Sequence, residues 1–170
     1  EKQRAVLRLL EEGNPVDLIA LRFGRVLFDD GFLKGLRGGG YKPTQRTIER
    51  WVHTASFGLS SAANNYSLPA CICCYFRDLH HSARDFSRAM ILKKKNELVE
   101  GNTMVIEHLT SLYPELVEDY RFILNGRRNY QDFEPRYLKT RKIEENELGK
   151  YLLAGENFAK MADYLVVGES

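Results

Sequence analysis

Cysteine is scarce in this chain, and its three cysteines are bunched at positions 71, 73 and 74. Neighbouring positions on one helix face do not easily reach disulfide geometry, and an odd number leaves one thiol over. This usage excludes the disulfide framework of a small secreted protein. We therefore expect a reducing, intracellular compartment, either the cytoplasm or the nucleus.

Long hydrophobic runs are also missing. No uninterrupted apolar stretch approaches the roughly 20 residues that a membrane-spanning helix needs. The segment that starts at Glu1 has no basic region followed by an apolar one, so it does not resemble a signal peptide. We expect no membrane partner, and because no initiator methionine is present we expect a piece of a longer protein.

Recognisable catalytic motifs are absent as well. The triple glycine Gly38–Gly40 is not followed by the Lys-Ser/Thr of a phosphate-binding loop, and there is no nucleophilic serine elbow. No histidine is paired with a carboxylate at a meaningful spacing. We therefore expect no enzymatic activity, no cofactor and no small-molecule substrate.

The sequence does not indicate a metal site either. The potential ligands Cys71, Cys74, Asp78 and His81 all lie on one flank of a single predicted helix. Structural zinc sites normally draw their ligands from two separate segments, and no second cluster exists in the sequence. Small thiols packed in an apolar core explain the cysteines better, so we expect no bound metal.

What the chain does contain is enough apolar material for a core. Hydrophobic residues make up 44% of its 170 residues, which suffices for one helical domain or for two small subdomains that share a core. The formal net charge is only +2. Any site for a polyanion must therefore arise from the arrangement of the charges rather than from their excess.

One long amphipathic segment, residues 70–99, organises the prediction. Its apolar residues recur at the spacing of a helix that packs along its length on other helices: Ile72, Phe76, Leu79, Ala83, Phe86 and Met90. A second stripe on the opposite side is basic: Arg77, His81, Arg84, Arg88 and Lys95. We predict that the first face builds the core and that the second is open to a polyanion, although Asp78 and Asp85 can pair with it locally.

Start and stop signals place further helices on both sides of this segment. Asn14 is a plausible N-cap, Pro15 fits the first helical position, and Gly13 and Gly24 fit helix ends. Periodicity and breakers predict helices at residues 1–12, 15–23, 44–56, 103–112 and 115–125, and a last long one from about 143. Gly126 is expected to end the helix at 115–125, and the triple glycine is expected to be a flexible break.

The predicted fold class is all-α: a helical bundle around a long central amphipathic helix, with a small N-terminal helical subdomain. The polar run from Ser60 to Ser67 is typical of a linker. We therefore divide the chain into an N-terminal helical subdomain, residues 1–65, and a C-terminal helical bundle, residues 66–170.

Residues 127–142 interleave cations with aromatic rings. Cations neutralise phosphates while rings stack on bases, which is how proteins hold single-stranded nucleic acid. With Gly126 before it and Pro135 within it, this segment is predicted to be an adaptable loop. In the alternative interpretation, Tyr130, Phe133 and Tyr137 pack into the bundle and the charges form a solvated rim.

Two short predicted helices in the first third of the chain are followed by the run Thr47-Ile48-Glu49-Arg50-Trp51. This arrangement resembles a helix-turn-helix DNA-binding domain, whose recognition helix presents its polar face to the major groove. The resemblance implies groove-facing residues Gln45, Arg46, Glu49, Arg50 and His53, with Ile48, Trp51 and Val52 buried. The chain departs from the family at residues 25–43, which stand where the family has a turn of about four residues.

We therefore predict a non-enzymatic nucleic-acid-binding protein that contacts the phosphate backbone, with RNA or single-stranded DNA favoured. The predicted binding residues are Arg84, Arg88, Arg127, Arg128, Tyr130, Arg136, Tyr137, Lys139, Arg141 and Lys142. A nucleocapsid or packaging role would suit such a binder, with apolar turns at residues 26–28 or 165–167 docking onto a neighbouring copy in a homo-oligomer. Two alternatives stay open, a helical protein-interaction or oligomerisation scaffold and a helix-turn-helix transcription regulator.

Overall fold

A computed structural model describes residues 2–25, 31–66, 72–130 and 145–166 of the chain. Within these ranges the chain forms eight α-helices, one 3-10 turn and no strand. The helices are α1 (Lys2–Glu11), α2 (Pro15–Phe23), α3 (Phe32–Gly38), α4 (Gln45–Tyr66), α5 (Ile72–Lys95), α6 (Gly101–Leu112), α7 (Val117–Tyr130) and α8 (Glu145–Val166). The predicted all-α fold class is confirmed.

The hairpin of α1 and α2 ends and begins at the predicted caps. The side-chain oxygen of Asn14 accepts a hydrogen bond from the backbone N–H of Val16 at 3.0 Å, and Gly24 caps the other end of α2. Gly13, between the two helices, has a φ of 67°, the left-handed conformation that glycine adopts without strain. The hydroxyl of Thr47 donates to the carbonyl of Gly13 at 2.8 Å, which ties this turn to α4.

A further short helix, α3, lies between α2 and α4. It contains Phe32 and Leu36, and it ends at Gly38. Gly40 follows with a φ of 68°, so the helix ends within the triple glycine, and the flexibility predicted there stays a prediction. The turn predicted at residues 26–28 lies outside the described residues.

The polar run predicted to be a linker is helical instead. α4 continues past Ser56 to Tyr66, so the predicted linker is wrong for the residues before Ser67, which itself lies outside the described ranges. The hydroxyl of Ser61 donates to the carboxylate of Asp78 on α5 at 2.7 Å. Packing of α4 along α5 thus outweighs the low helix propensity of serine and asparagine. The division between residues 65 and 66 stays a prediction.

The apolar seam of the central helix is confirmed, since all six of its predicted residues on α5 are buried. The opposite side is not uniformly open, however. In the second half of α5, Ser87 and Ile91 are fully buried and Leu92 is 3% exposed. The prediction of one core face and one solvent face is therefore wrong for this half, because helices from both ends of the chain pack around it.

Two apolar clusters make up the core of the described residues. The larger cluster packs α5 against α4, α6, α7 and α8, and it contains Phe76 and Tyr120. The smaller cluster joins α1, α2, α3 and the start of α4 to the C-terminal part of α5, through side chains such as Leu10, Trp51 and Leu92. Because α4 and α5 contribute to both clusters, the helices of the first third rest on the end of the central helix.

The helix predicted to stop at Gly126 does not stop there. After a 3-10 turn at Pro114–Leu116, α7 runs through Gly126 to Tyr130. A Cβ atom at position 126 would lie 2.5 Å from Cε1 of Phe76 and 2.8 Å from Cε1 of Tyr151. This glycine therefore allows close approach of three helices instead of ending one, and residues 127–130 are helical, which corrects the predicted loop.

The last predicted helix is confirmed as α8, which contains Gly149 and Gly155 in its interior. Leu165 near its end packs against the larger apolar cluster. This residue therefore does not belong to an exposed docking turn, as had been predicted for residues 165–167. Among the described helices, none combines the length and the apolar character that crossing a membrane would require.

Candidate nucleic-acid interface

Half of the predicted binding residues fall in the described part of the chain. Arg84 and Arg88 lie on α5, and Arg127, Arg128 and Tyr130 lie on α7. The others fall between residues 131 and 144, outside the described residues: Arg136, Tyr137, Lys139, Arg141 and Lys142. The described part of the candidate interface therefore consists of α5, α7 and the helices that pack against them.

Arg84 and Arg127, which lie on two different helices, both lower the pKa of the same two histidines. The pKa of His81 is lowered by burial first and then by the charge of Arg84, and Arg127 acts in the same direction while Asp85 opposes them. Next to it on α5, His80 has its pKa lowered to about 4 by burial, with smaller contributions from the same two arginines. The two ring centroids are 5.9 Å apart. Two predicted phosphate-binding cations, one on α5 and one on α7, thus act electrostatically on the same pair of rings.

A buried hydrogen-bond network holds this region together. The side-chain oxygen of Asn102 on α6 accepts from the Tyr120 hydroxyl at 2.8 Å and lies 2.9 Å from Nε2 of His80. An amide oxygen only accepts, so the contact places the ring proton on Nε2. Burial raises the pKa of Tyr120 and lowers that of His80, so both groups are neutral at pH 7. The network therefore joins α5, α6 and α7 without adding charge.

Arg88 lies behind the surface and not on it. The residue is 8% exposed, and its guanidinium carbon lies 5.9 Å from the ring centroid of Trp51. Asp85 Oδ1 accepts from Arg88 Nη1 at 3.3 Å and from Arg84 Nε at 3.4 Å, so two guanidinium groups share one carboxylate. Nε of Arg88 is buried and has no hydrogen-bond partner. The predicted direct contact between Arg88 and a phosphate is therefore contradicted by its burial.

The remaining members of the predicted basic stripe keep access to solvent. Arg77 has a side chain that is 49% exposed, and its Nε lies 2.8 Å from the carboxylate of Asp78. His81 and Lys95 are exposed as well. The local pairing with Asp78 and Asp85 is confirmed, so the stripe is partly neutralised at both carboxylates and is interrupted where Arg88 turns inward.

Tyr130 packs against the bundle. Its ring stacks on that of Phe76, with centroids 4.7 Å apart and planes 9° from parallel. For this residue the alternative interpretation of the aromatic and basic segment is confirmed. Arg128, two positions earlier on α7, is exposed, and Arg127 is half-buried. Phe133 and Tyr137 lie outside the described residues.

The residues that resemble a recognition helix lie at the start of α4. Ile48 and Trp51 are buried, as the resemblance implies, whereas Val52 is only half-buried. Arg50 differs, because its guanidinium lies 2.9 Å from the carboxylate of Glu12 on α1. Four of the five residues of the predicted groove-facing set are exposed: Gln45, Arg46, Glu49 and His53. The presence of α3 between α2 and α4 adds to the departure from the family pattern.

No group of three or more potential metal-ligating side chains comes together within the described ranges. Cys71, one member of the set considered from the sequence, lies outside them. Cys74 is half-buried on α5, and Asp78 one turn further is engaged by Ser61 and Arg77. The carboxylate of Asp78 therefore serves to join α4 to α5.

Sequence reasoning missed the residues that support the interface. Asn102 and Tyr120 are separated from His80 by 22 and 40 positions, and no local pattern connects them. The one available signal was Asp85, whose position beside the arginines indicated a local ion pair. Comparisons of the chain with protein-family models, with curated protein sequences and with solved structures gave no match.

Proposed function

We propose that this protein binds nucleic acid through the phosphate backbone and without catalysis, at a surface formed by Arg84, Arg127 and Arg128. The observation that supports the proposal best is that the charges of Arg84 on α5 and Arg127 on α7 both lower the pKa of His81. Because a cation on each of two helices acts on the same ring, a phosphate near His81 would be attracted by both. Arg128 extends this positive surface along α7.

The charge balance at this place favours an anion. Arg84, Arg88 and Arg127 contribute three positive charges, and Asp85, which bonds to Arg84 and Arg88, and Asp78, which also acts on His81, contribute two negative ones. Arg88 cannot touch a ligand directly, but its charge acts from the protein interior, where the effective dielectric constant is lower than in water. The surface above it therefore attracts a phosphate more strongly than the mild net charge of the chain indicates.

A single strand is favoured over a duplex as the partner. The basic and aromatic residues at positions 133–142 come shortly after Arg127 and Arg128 in the sequence. Bases of a single strand are free to stack on aromatic rings, whereas those of a duplex are not. We assign this stacking role to Tyr137, since Tyr130 is already stacked on Phe76.

The test is fluorescence anisotropy with labelled single-stranded RNA, single-stranded DNA and duplex DNA across a range of salt concentrations. The double variant Arg84→Gln with Arg127→Gln should weaken single-strand binding on the order of tenfold or more, because two charge-assisted contacts are lost. Its plot of log affinity against log salt should be shallower by about 1.4, since each phosphate contact to a single strand contributes about 0.7.

The matched control is the double variant Arg4→Gln with Lys160→Gln, two exposed residues on α1 and α8. It removes the same net charge at other places, so a loss of affinity equal to that of the first double variant would contradict the assigned surface. Preference for duplex DNA together with sensitivity to Arg46→Gln would instead support the helix-turn-helix alternative.

The scaffold alternative has its own observation in favour. Phe57 on α4 and Val16 on α2 are 73% and 74% exposed, although both are apolar. Exposed apolar side chains of this size are typical of contact surfaces between protein copies. If no oligonucleotide binds even at low salt, the proposal of nucleic-acid binding fails. An oligomer in light scattering would then favour the scaffold. Both functions suit an intracellular protein.

A further inference from the structure

A second basic surface lines a cavity at the other end of the described structure. The cavity has a volume of about 520 Å³ and lies where α2, α3 and the chain after the triple glycine meet the end of α5. This volume is in the range of sites for small organic ligands, about 300–1,000 Å³. None of the residues of the proposed nucleic-acid surface lines it, so the inference does not rest on the proposed function.

The charge in this cavity is of one sign. Arg22, Arg37 and Lys42 line it, and no carboxylate is found among the described lining residues. Arg37 is anchored by neutral groups, since its Nε donates to the carbonyl of Leu21 at 3.0 Å and its Nη2 donates to the carbonyl of Gly24. Carbonyl oxygens fix the position of a guanidinium but do not cancel its charge. The positive charge of the lining therefore favours the binding of an anion in this cavity.

The remaining lining combines an apolar wall with an aromatic ring and an amide. Leucine side chains from α2 and α3 and from the chain after α5 form the wall. Tyr41 is half-buried, and a Cβ atom on Gly39 would lie 2.9 Å from its Cε2 atom, so the glycine allows the ring to lie against the chain. Asn96, in a left-handed conformation just after α5, supplies the amide.

We infer that this cavity binds a nucleoside monophosphate unit. Arg22 and Lys42 are exposed cations that contact the phosphate, Tyr41 and the leucine wall pack against the base, and the amide of Asn96 both donates to and accepts from the edge of the base. A fatty acid would match the charge and the leucines but would leave the ring and the amide without a role. The sequence predicts no small-molecule substrate, and the experiment below tests that prediction as well.

Isothermal titration calorimetry of the full chain with AMP, adenosine and inorganic phosphate tests the assignment. AMP should bind more tightly than either of its halves, because both the cations and the apolar wall are then engaged. Lys42→Gln should weaken AMP binding on the order of tenfold, the loss of one charge-assisted contact. Lys160→Gln on α8 removes the same charge far from the cavity and should leave the affinity unchanged.

Tyr41→Leu separates base recognition from simple charge attraction. It should weaken AMP binding while leaving the weaker binding of inorganic phosphate unchanged. No heat from AMP up to about 1 mM would overturn the inference. So would binding of AMP that Lys42→Gln leaves unchanged, or tighter binding of decanoate than of AMP.

A nucleoside monophosphate unit is also present at the 5′-phosphorylated end of a nucleic-acid strand. A 5′-phosphorylated oligonucleotide that displaces AMP more strongly than its 5′-hydroxyl counterpart would identify a strand end as the source of the ligand. Equal and weak displacement by both would identify the free nucleotide. Repeating this comparison with the Arg84→Gln and Arg127→Gln double variant keeps the cavity separate from the proposed nucleic-acid surface.

Discussion

Two arginines in the middle of α5 bond to the same carboxylate, that of Asp85, but they differ in burial and therefore in role. This carboxylate bonds to Arg84, whose side chain is 26% exposed, and to Arg88, whose side chain is 10% exposed. In sequence the two arginines are equivalent members of one stripe, separated by one helical turn. The outer arginine keeps access to solvent, whereas the inner one supports Asp85 and Trp51, because a charge within the protein is stable only where it is paired.

His80 makes folding stability depend on pH. Its pKa in the folded protein is about 4, below the ordinary value of 6.5, so the unfolded chain binds the proton more readily between these values. Stability is thus fully present above about pH 6.5 and is lost as the pH falls towards 4, by at most about 3 kcal/mol from this residue. Urea unfolding at pH 7 and pH 5 should show this loss.

The variant His80→Gln checks the assignment, because glutamine cannot take up the proton and should reduce the difference between the two pH values. His53→Gln, an exposed position on α4, is the control and should keep the pH dependence of the original protein. Because the pKa of His81 is lowered as well, part of the pH dependence should remain; a pH dependence that His80→Gln leaves undiminished would show that another group is responsible.

At the scale of the elements, the length of α7 depends on a tertiary contact that the local sequence does not reveal. Glycine is a poor helix former and a frequent helix end, and both tendencies predict a stop at Gly126. The rings of Phe76 and Tyr151 lie so close to this position that any side chain would collide with them. Packing therefore keeps glycine inside the helix, and the helix continues to Arg127 and Arg128.

Two glycine-to-alanine variants should act in opposite directions. Gly126→Ala should destabilise the protein by about 1–3 kcal/mol, because the added methyl group overpacks the contact. Gly35→Ala, within α3 and with nothing within 4 Å of the added Cβ atom, should stabilise it by up to about 1 kcal/mol through helix propensity. Midpoints of urea unfolding measure both effects, and equal shifts would contradict the packing argument.

At the scale of the whole molecule, α4 and α5 connect the two apolar clusters. Trp51 on α4 lies in the smaller cluster and Ala55, one turn later, in the larger one. On α5, Ala89 and Leu92 belong to the smaller cluster and Met90 to the larger one. A substitution that disrupts the packing of one cluster should therefore destabilise both. We expect one cooperative unfolding transition.

Leu92→Ala tests this expectation. The residue is 3% exposed in the smaller cluster, and the truncation should cost about 2–5 kcal/mol. Hydrogen exchange followed by mass spectrometry should then show reduced protection in α8 as well as in α1 to α3. Loss of protection in α1 to α3 alone would mean that residues 1–65 unfold as a unit of their own, as the sequence predicts.

The sequence by itself determined the helical class, the seam of α5 and the caps of α2. These features depend on spacing and on contacts within a few residues, which a single segment already contains. The local ion pairs of α5 with Asp78 and Asp85 were predictable for the same reason. The candidate cations could be named on the same basis, since charge is a property of each residue.

Only the tertiary structure decided where those cations lie. Packing on α5 extended α4 through its polar run, carried α7 past Gly126 to Arg127, and buried Arg88. The cavity beside Arg37 is likewise built by segments that are far apart in sequence. Such contacts join residues tens of positions apart, and their free energy exceeds the small local preferences that a sequence pattern reports.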